Sequence, residues 1–368
     1  MAQTKDKKTG SWSFYGTLTD VVGNKHRYHK RGYKTKKEAK AAENIYRITH
    51  SNMRESITLN ELVGIYHENF PSLAIKEVTL ITDEGYYKNH IKEYLGDVQL
   101  KDINTPMVHD FINKLAQKKM PNGELYSVST INHTKNVLSK YLKYAIVLGY
   151  LEYNPCHNVS SFKRAEEIKE EKIVFWELET FNYFISCVDN EYWRLVFMFL
   201  FWTGVREGEL FALQWKDVDL GKGTAKIYKT VTSKTNLGHY KITSPKNDHS
   251  NRIIDLQDTL ILALRKRFKD VKKKDGFTLE WFVFGLISPL SRSQLARFLD
   301  YYIELAGVTR ITPHGFRHSH ASLLISRRVD DEMIADRLGH TVYILHKTYA
   351  HIYKSMRQDM KSILNEIS

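Results

Sequence analysis

Residues 195–210 read LVFMFLFWTGVREGEL, and the fold turns on how this stretch is parsed. Leu195 to Trp202 is the longest apolar run in the chain, long enough for a buried helix and far short of the roughly 20 residues that span a bilayer. Gly204 breaks that helix, and the next begins at once with Arg206, Glu207 and Glu209. Arg206 is therefore expected near a helix terminus, backed by a packed core. Glu209, three residues on, shares its face and can orient the guanidinium toward a ligand that accepts two parallel donors. The same spacing also suits a plain surface ion pair.

Three further segments are set out like this one. Thr312-Pro313-His314-Gly315-Phe316-Arg317-His318 opens with an N-cap residue and a proline at the first helical position, which places His314 and Arg317 on one face of a helix start that welcomes phosphate. His314, His318 and His320 do not all share a face, which argues against a metal site. Leu338-Gly339-His340 closes another helix, and nine residues beyond His340 lies Tyr349. A phenol is a poor nucleophile until its high pKa is offset, and cationic donors grouped around one phosphate do that. Between these segments Thr243-Ser244-Pro245-Lys246-Asn247-Asp248 lies on a turn of a β-rich insert, from which Lys246 could reach a leaving oxygen as general acid. Lys234 and Lys241 compete for that role.

Composition narrows the partners. The 368 residues hold 55 Lys and Arg against 42 Asp and Glu, a formal charge of +13 that favours a polyanion. Residues 1–55 carry 13 Lys and Arg against 5 Asp and Glu, more than half of the excess in about a seventh of the length. Two cysteines, Cys156 and Cys187, form neither a disulfide framework nor a zinc module, and the polar, Lys-rich start does not resemble a signal peptide, so the expected setting is intracellular.

Periodicity supplies the organisation. Trp12, Phe14, Gly16 and Leu18 alternate with polar neighbours, and Gly23-Asn24 turns the chain into a second strand over 26–33, so a small antiparallel sheet is expected. Thr35 to Glu38 has capping-box form and opens a helix with Ala39, Ala42 and Tyr46 at helical spacing. From Thr58 to Asn158 the pattern is helical, four or five helices beginning with a second capping box, Thr58 to Glu61. Ser160 to Lys172 is dense in charge, composed either as a linker or as an exposed helix face. Beyond it come helices at 176–187 and 192–202, strands at 225–232, 239–243 and 252–256, and helices again to the end. The expected fold is mainly α with small β elements in three domains, 1–55, 57–160 and 173–368.

In this order Arg206, Lys246, His314-x-x-Arg317, Leu338-Gly339-His340 and Tyr349 resemble the full signature of the tyrosine recombinases, the family of phage integrases and chromosome-dimer resolvases. Ser127 to Tyr150 with Asn154-Pro155 resembles that family's helical core-binding domain, and the N-terminal segment its three-stranded arm-binding domain. The resemblance implies a site-specific recombinase, an integrase of a phage or conjugative transposon, that integrates or excises a mobile element. Arg206 and Arg317 would clamp the scissile phosphate, Lys246 would protonate the departing 5′ oxygen, His314 and His340 would assist by hydrogen bonds and proton transfer, and Glu209 would support. Tyr349 would take up the 3′ phosphate, with no cofactor and no metal, and strands would pass through a Holliday junction within a homotetramer on two duplexes. The partner implied is double-stranded DNA at core and arm-type sites, with an excisionase or a host DNA-bending protein as accessory, in the bacterial cytoplasm at the nucleoid. The DNA contacts expected are Arg27, Lys30, Arg31, Lys34, Lys36 and Lys37 in the N-terminal domain, with Lys135 and Lys140 in the helical one.

Two departures bear on this. Asn247-Asp248-His249 follows Lys246 where many relatives carry a shorter turn, and Tyr343 and Tyr353 flank Tyr349 three and thirteen residues after His340. Past Tyr349, Met356, Met360, Ile363, Leu364 and Ile367 make an amphipathic tail expected to dock on a neighbouring subunit or back on its own domain. The rival readings are a type IB topoisomerase and a regulator that binds DNA without cutting it.

Overall fold

The alternating residues at 12–18 build the first sheet. In the computed structural model, which describes residues 3–5, 9–19, 25–50, 57–69, 76–164, 174–232, 240–244, 250–350 and 352–353, the chain divides into two compact units, Met1–Lys169 and Glu170–Ser368. In the first, β1 (Gln3–Lys5), β2 (Trp12–Thr19) and β3 (Lys25–Tyr33) pair antiparallel in that order. Phe14 and Tyr28 are buried against Ala39 of α1 (Lys36–His50), with Trp12, Tyr33, Ala42 and Tyr46 packed around them. Phe14 pairs with Lys30, Ser13 with Arg31, Tyr15 with His29 and Thr17 with Arg27, so Arg27, His29 and Arg31 share the face turned away from α1. Gly32, at φ +100°, sits where the register slips by one residue, a bulge that few other residues could form. Gly23-Asn24 lies outside the described residues.

Thr35 Oγ1 accepts from the Glu38 amide at 3.1 Å, as a cap should, but the Glu38 carboxylate reaches the amide of Lys34 rather than that of Thr35. At Thr58 the box closes both ways, with Glu61 N donating to Thr58 Oγ1 at 3.2 Å and Thr58 N to the Glu61 carboxylate at 2.7 Å. It starts α2 (Leu59–Glu68), which is followed by α3 (Glu77–Tyr86), a π turn (Tyr87–Ile91), α4 (Lys92–Leu95), α5 (Thr105–Gln117) and α6 (Val128–Val147). The stripes read from spacing form their shared core, Leu59, Leu62 and Tyr66 on α2 and Ile131, Leu138 and Leu142 on α6. Phe162 still packs on this core, its amide donating to Asn132 Oδ1, and residues 165–173 of the charged stretch lie outside the described residues.

In the second unit α7 (Leu178–Cys187), α8 (Glu191–Thr203) and α9 (Glu207–Ala212) precede five short strands. These are β4 (Val218–Asp219), β5 (Thr224–Ile227), β6 (Thr230–Thr232), β7 (Lys241–Thr243) and β8 (Arg252–Asp255). The strand expected at 225–232 is in fact two, since β5 joins β4 and β8 while β6 pairs only with β7. The break falls at Tyr228-Lys229, where the Tyr228 hydroxyl and the buried Lys229 ammonium both reach the Asp217 carboxylate. That pairing diverts the chain from the first sheet. Helices α10 (Asp258–Lys272), α11 (Arg292–Ala306), α12 (Pro313–Ser326), α13 (Asp331–Leu338) and α14, residues 342–350, complete the unit.

The apolar run parsed above is the centre of this core. Phe181 of α7 stacks on Phe201 of α8 at 3.6 Å, and Phe316 of α12 stacks on Phe197 of α8 with ring centroids 5.9 Å apart. Burying such a ring contributes about 1.5–3 kcal/mol, so α12 is fixed against α8 by the residue next to Arg317. No helix among the described residues is long and apolar enough to cross a membrane.

Candidate active site

Arginine side chains converge where four helix ends meet. Gly204, in the left-handed conformation at φ +62°, ends α8, and its carbonyl accepts from Arg317 Nη1 at 2.7 Å. Gly339, at φ +64°, ends α13, and its carbonyl accepts from Arg206 Nη2 at 3.2 Å. Leu338 O accepts from Arg317 Nη2. Carbonyls at helix C-termini carry partial negative charge, so they orient a guanidinium without neutralising it. Gly204 is also confined sideways, since a Cβ there would lie 2.7 Å from the His320 ring. Gly204→Ala is expected to destabilise the fold by at least about 1–2 kcal/mol from the backbone conformation alone, read as a lowered urea midpoint.

Arg206 is the N-cap residue of α9 rather than its first helical residue, and the Glu209 carboxylate accepts from its backbone amide at 3.0 Å and its Nη1 at 2.9 Å. Glu209 is buried and does more than the expected pairing. It also receives both terminal nitrogens of Arg252, at 3.3 and 2.9 Å, while Arg252 Nε donates to Arg337 O at 2.7 Å. Burial alone would raise the Glu209 carboxyl, but Arg252 and then Arg206 outweigh it and hold it below the usual carboxylate range. Its contribution to stability is therefore intact above the ordinary glutamate pKa and is lost only as pH falls through the lower folded value. Glu209→Gln leaves two arginines sharing a neutral amide and is expected to cost about 3–5 kcal/mol, seen in urea unfolding at pH 7. Arg252 was missed in the sequence. Its position at the start of a strand with alternating Ile253 and Ile254 gave no sign of a long-range carboxylate partner.

Two guanidinium groups, those of Arg206 and Arg252, thus share one carboxylate, and a third, that of Arg317, lies beside them on carbonyls. Arg317 is 1% exposed, its pKa pressed down by burial and by Arg206, and its Nε has no partner among the described residues. His340 Nε2 lies 2.7 Å from Arg317 Nη2. Arginine can only donate, so Nε2 accepts and the ring proton is on Nδ1, a buried donor with no partner among the described residues. Burial, then Arg317 and Arg206, push the His340 pKa down to about 3, and burial with Arg337 does the same to His320. The pKa of His314, at the start of α12, is also lowered, by partial desolvation of its ring and then by Arg317 and Arg206. Both His340 and His320 bind a proton more readily unfolded than folded, so stability falls with decreasing pH from about 6.5 downward. For the 3% exposed His320 the slope is about 1.4 kcal/mol per pH unit, and His320→Gln should flatten it.

Tyr349 enters this cluster from α14. It is 1% exposed, its hydroxyl is 2.9 Å from His318 Nδ1, and burial raises its pKa to about 12 with Arg317 opposing. Tyr343 is 73% exposed, and Tyr353 bonds to Asp331 instead. His318 stands perpendicular to His314, their ring centroids 4.7 Å apart, whereas His320 accepts from Arg337 Nε. Among the described residues no group of three His, Cys, Asp or Glu side chains could hold a metal. Lys246 and Lys234 lie outside the described residues, as does the tail from 354 onward, and Lys241 is exposed on β7.

The expected DNA contacts divide. Arg27 and Arg31 are exposed on the open sheet face, where Thr4, Ser13, Tyr15 and His29 join Arg31 along a shallow groove. Lys34, Lys36 and Lys37 are exposed near the start of α1, Lys36 over the Trp12 ring, and Lys30 reaches over Tyr46 on the helix side of the sheet. Lys135 and Lys140 depart from expectation. Lys135 is buried with its ammonium on Val159 O, because residue 135 falls on the same face of α6 as Ile131, Leu138 and Leu142, and Lys140 is paired with buried Asp83.

Three family descriptions match the chain in the same order as its domains. An arm DNA-binding domain matches residues 3–46, the SAM-like N-terminal domain of phage integrases 58–116, and the phage integrase family domain 177–356. The ICEBs1 integrase of Bacillus subtilis is 29% identical over 325 residues, 85% of this chain and 84% of its own. The fold is shared with the Tn1549 transposon integrase solved with transposon right end DNA, at TM-score 0.67 and 19% identity, over 84% of this chain and 100% of that one. It is also shared with the lambda integrase solved as a tetramer on a Holliday junction, at TM-score 0.56 and 18% identity, over 91% and 90%.

Proposed function

The chain belongs to the phage integrase family of tyrosine recombinases, and from that premise we propose that it integrates and excises a mobile element with Tyr349 as nucleophile. The observation that carries the reading is a cationic cluster held by neutral carbonyls, with two donors that have no partner among the described residues, Arg317 Nε and His340 Nδ1, beside a buried tyrosine. Such a cluster accommodates a phosphodiester. Arg206 and Arg317 hold its non-bridging oxygens through charge-assisted bonds, Arg317 from Nε, and His340 Nδ1–H and His314 add donors as negative charge grows in the transition state.

Attack by the Tyr349 oxygen forms a 3′-phosphotyrosyl bond and releases the 5′ oxygen, which Lys246 protonates. The ester formed is close in energy to the one broken, so religation needs neither ATP nor metal. Glu209 and Arg252 position Arg206, since both act through the same buried ion pairs. The division of labour is an arm domain at 1–55 that lays Arg27 and Arg31 on DNA, a core-binding domain at 57–160, and a catalytic domain at 173–368. Two pairs of strands are exchanged in turn through a Holliday junction within a tetramer. The tail beyond Tyr353 links neighbouring protomers, and an excisionase or host bending protein sets the direction.

A duplex carrying the joined ends of the element tests this, nicked so that the cleaved strand is lost. The expected product is a covalent adduct whose peptide map places the 3′ phosphate on Tyr349. Run beside it, plasmid relaxation without two-site recombination would instead identify a topoisomerase.

A further inference from the structure

His318 was set aside in the sequence as one of three histidines that do not line a face, yet it makes the single side-chain hydrogen bond recorded for Tyr349 among the described residues. Its ring stands 5.7 Å from the Tyr349 ring and 4.7 Å from that of His314, one turn back on α12. We propose that His318 is a catalytic residue, its Nδ1 accepting the phenolic proton as the Tyr349 oxygen attacks the scissile phosphate. This rests on the reading of Tyr349 as nucleophile.

The recorded contact of the Tyr349 hydroxyl is with His318 rather than with His314, and two other candidates for the base fall away. His340 cannot be the base, because its Nε2 is occupied by Arg317 and its Nδ1 carries the proton. Water is a poor candidate at a hydroxyl that is almost wholly buried. With a pKa of about 12, only about one phenol in 10⁵ is ionised at neutral pH, so a base already within hydrogen-bond distance serves by taking the proton as the O–P bond forms, without a free phenolate having to accumulate. Among the described residues the titratable groups recorded against His318 are His314 on its own helix and Tyr349 on α14, with Arg317 acting on Tyr349.

The step balances. The O–P bond to Tyr349 forms as the P–O5′ bond breaks, the phenolic proton passes to Nδ1, and the general acid supplies a separate proton to the 5′ oxygen. In religation the imidazolium returns its proton to the phenol.

The test uses the nicked duplex with a 5′-bridging phosphorothiolate, whose sulfur leaves without a general acid, so that single-turnover adduct formation from pH 5.5 to 8.5 reports the base alone. His318→Leu is expected to slow the adduct by about 10²–10⁴-fold with DNA affinity unchanged. His318→Asn, which offers an acceptor oxygen in place of Nδ1 but cannot take a proton, should recover part of the rate and lose the fall at low pH. A wild-type profile without that fall, a His318→Asn profile that keeps it, or a His318→Leu rate within threefold of wild type overturns the assignment. If His318→Leu does not fold, the Asn profile decides. Tyr349→Phe runs alongside: an adduct that survives it refutes the nucleophile itself, whereas its loss with normal His318 variants refutes only the base.

Discussion

Tyr349→Phe should bind core-site DNA as the parent chain does and form no covalent adduct on the nicked duplex, a loss of about 10⁶-fold or more as expected when a nucleophile is removed. The hydroxyl's recorded side-chain bond is to His318, and the ring stays buried, so the substitution removes one oxygen and leaves the packing on Ile334 and Leu345 in place. Stability should change by no more than about 1–2 kcal/mol. The urea midpoint and the DNA affinity are therefore internal controls. If Tyr349→Phe still formed an adduct while Tyr343→Phe did not, the assignment would pass to Tyr343, which the exposure of that residue argues against.

Arg317→Lys should be nearly as damaging to chemistry and more damaging to the fold. The guanidinium satisfies Gly204 O, Leu338 O and His340 Nε2 at once, and its Nε remains as a donor for phosphate. An ammonium cannot reach these partners from one point, and losing one transition-state donor costs about 10²–10³-fold. Two carbonyls left without a donor add about 1–3 kcal/mol each of instability. The expected result is adduct formation reduced by at least about 10³-fold together with a lowered urea midpoint. Adduct formation within tenfold of the parent chain would mean that Arg317 holds helix ends together and does not hold phosphate.

These two residues differ in how readable they were. Arg317 follows a proline-started helix and stands three residues from His314, so spacing alone predicted its face and its place at a helix start. Tyr349 is one of 22 tyrosines, and only its distance from His340 within an ordered set of motifs distinguished it. The strands were legible as strands, but not their partners, because a side chain at Tyr228 or Lys229 chooses between sheets through Asp217, a residue outside the strand pattern. Lys135 was legible as buried, had the helical stripe through Ile131 and Leu138 been applied to it before its charge was weighed.

Local pattern by itself determined the helices, the caps at Thr35 and Thr58, the glycine breaks at Gly204 and Gly339, and the residues that crowd the site. It could do so because each depends on neighbours within a turn or two of chain. The tertiary structure alone decided that Arg252 completes the buried pair at Glu209, that carbonyls rather than carboxylates hold Arg317, and that His318 receives the Tyr349 hydroxyl. Those contacts join residues 31 to 113 positions apart, where hydrogen-bond partners are set by how helices pack and leave no periodic trace along the chain.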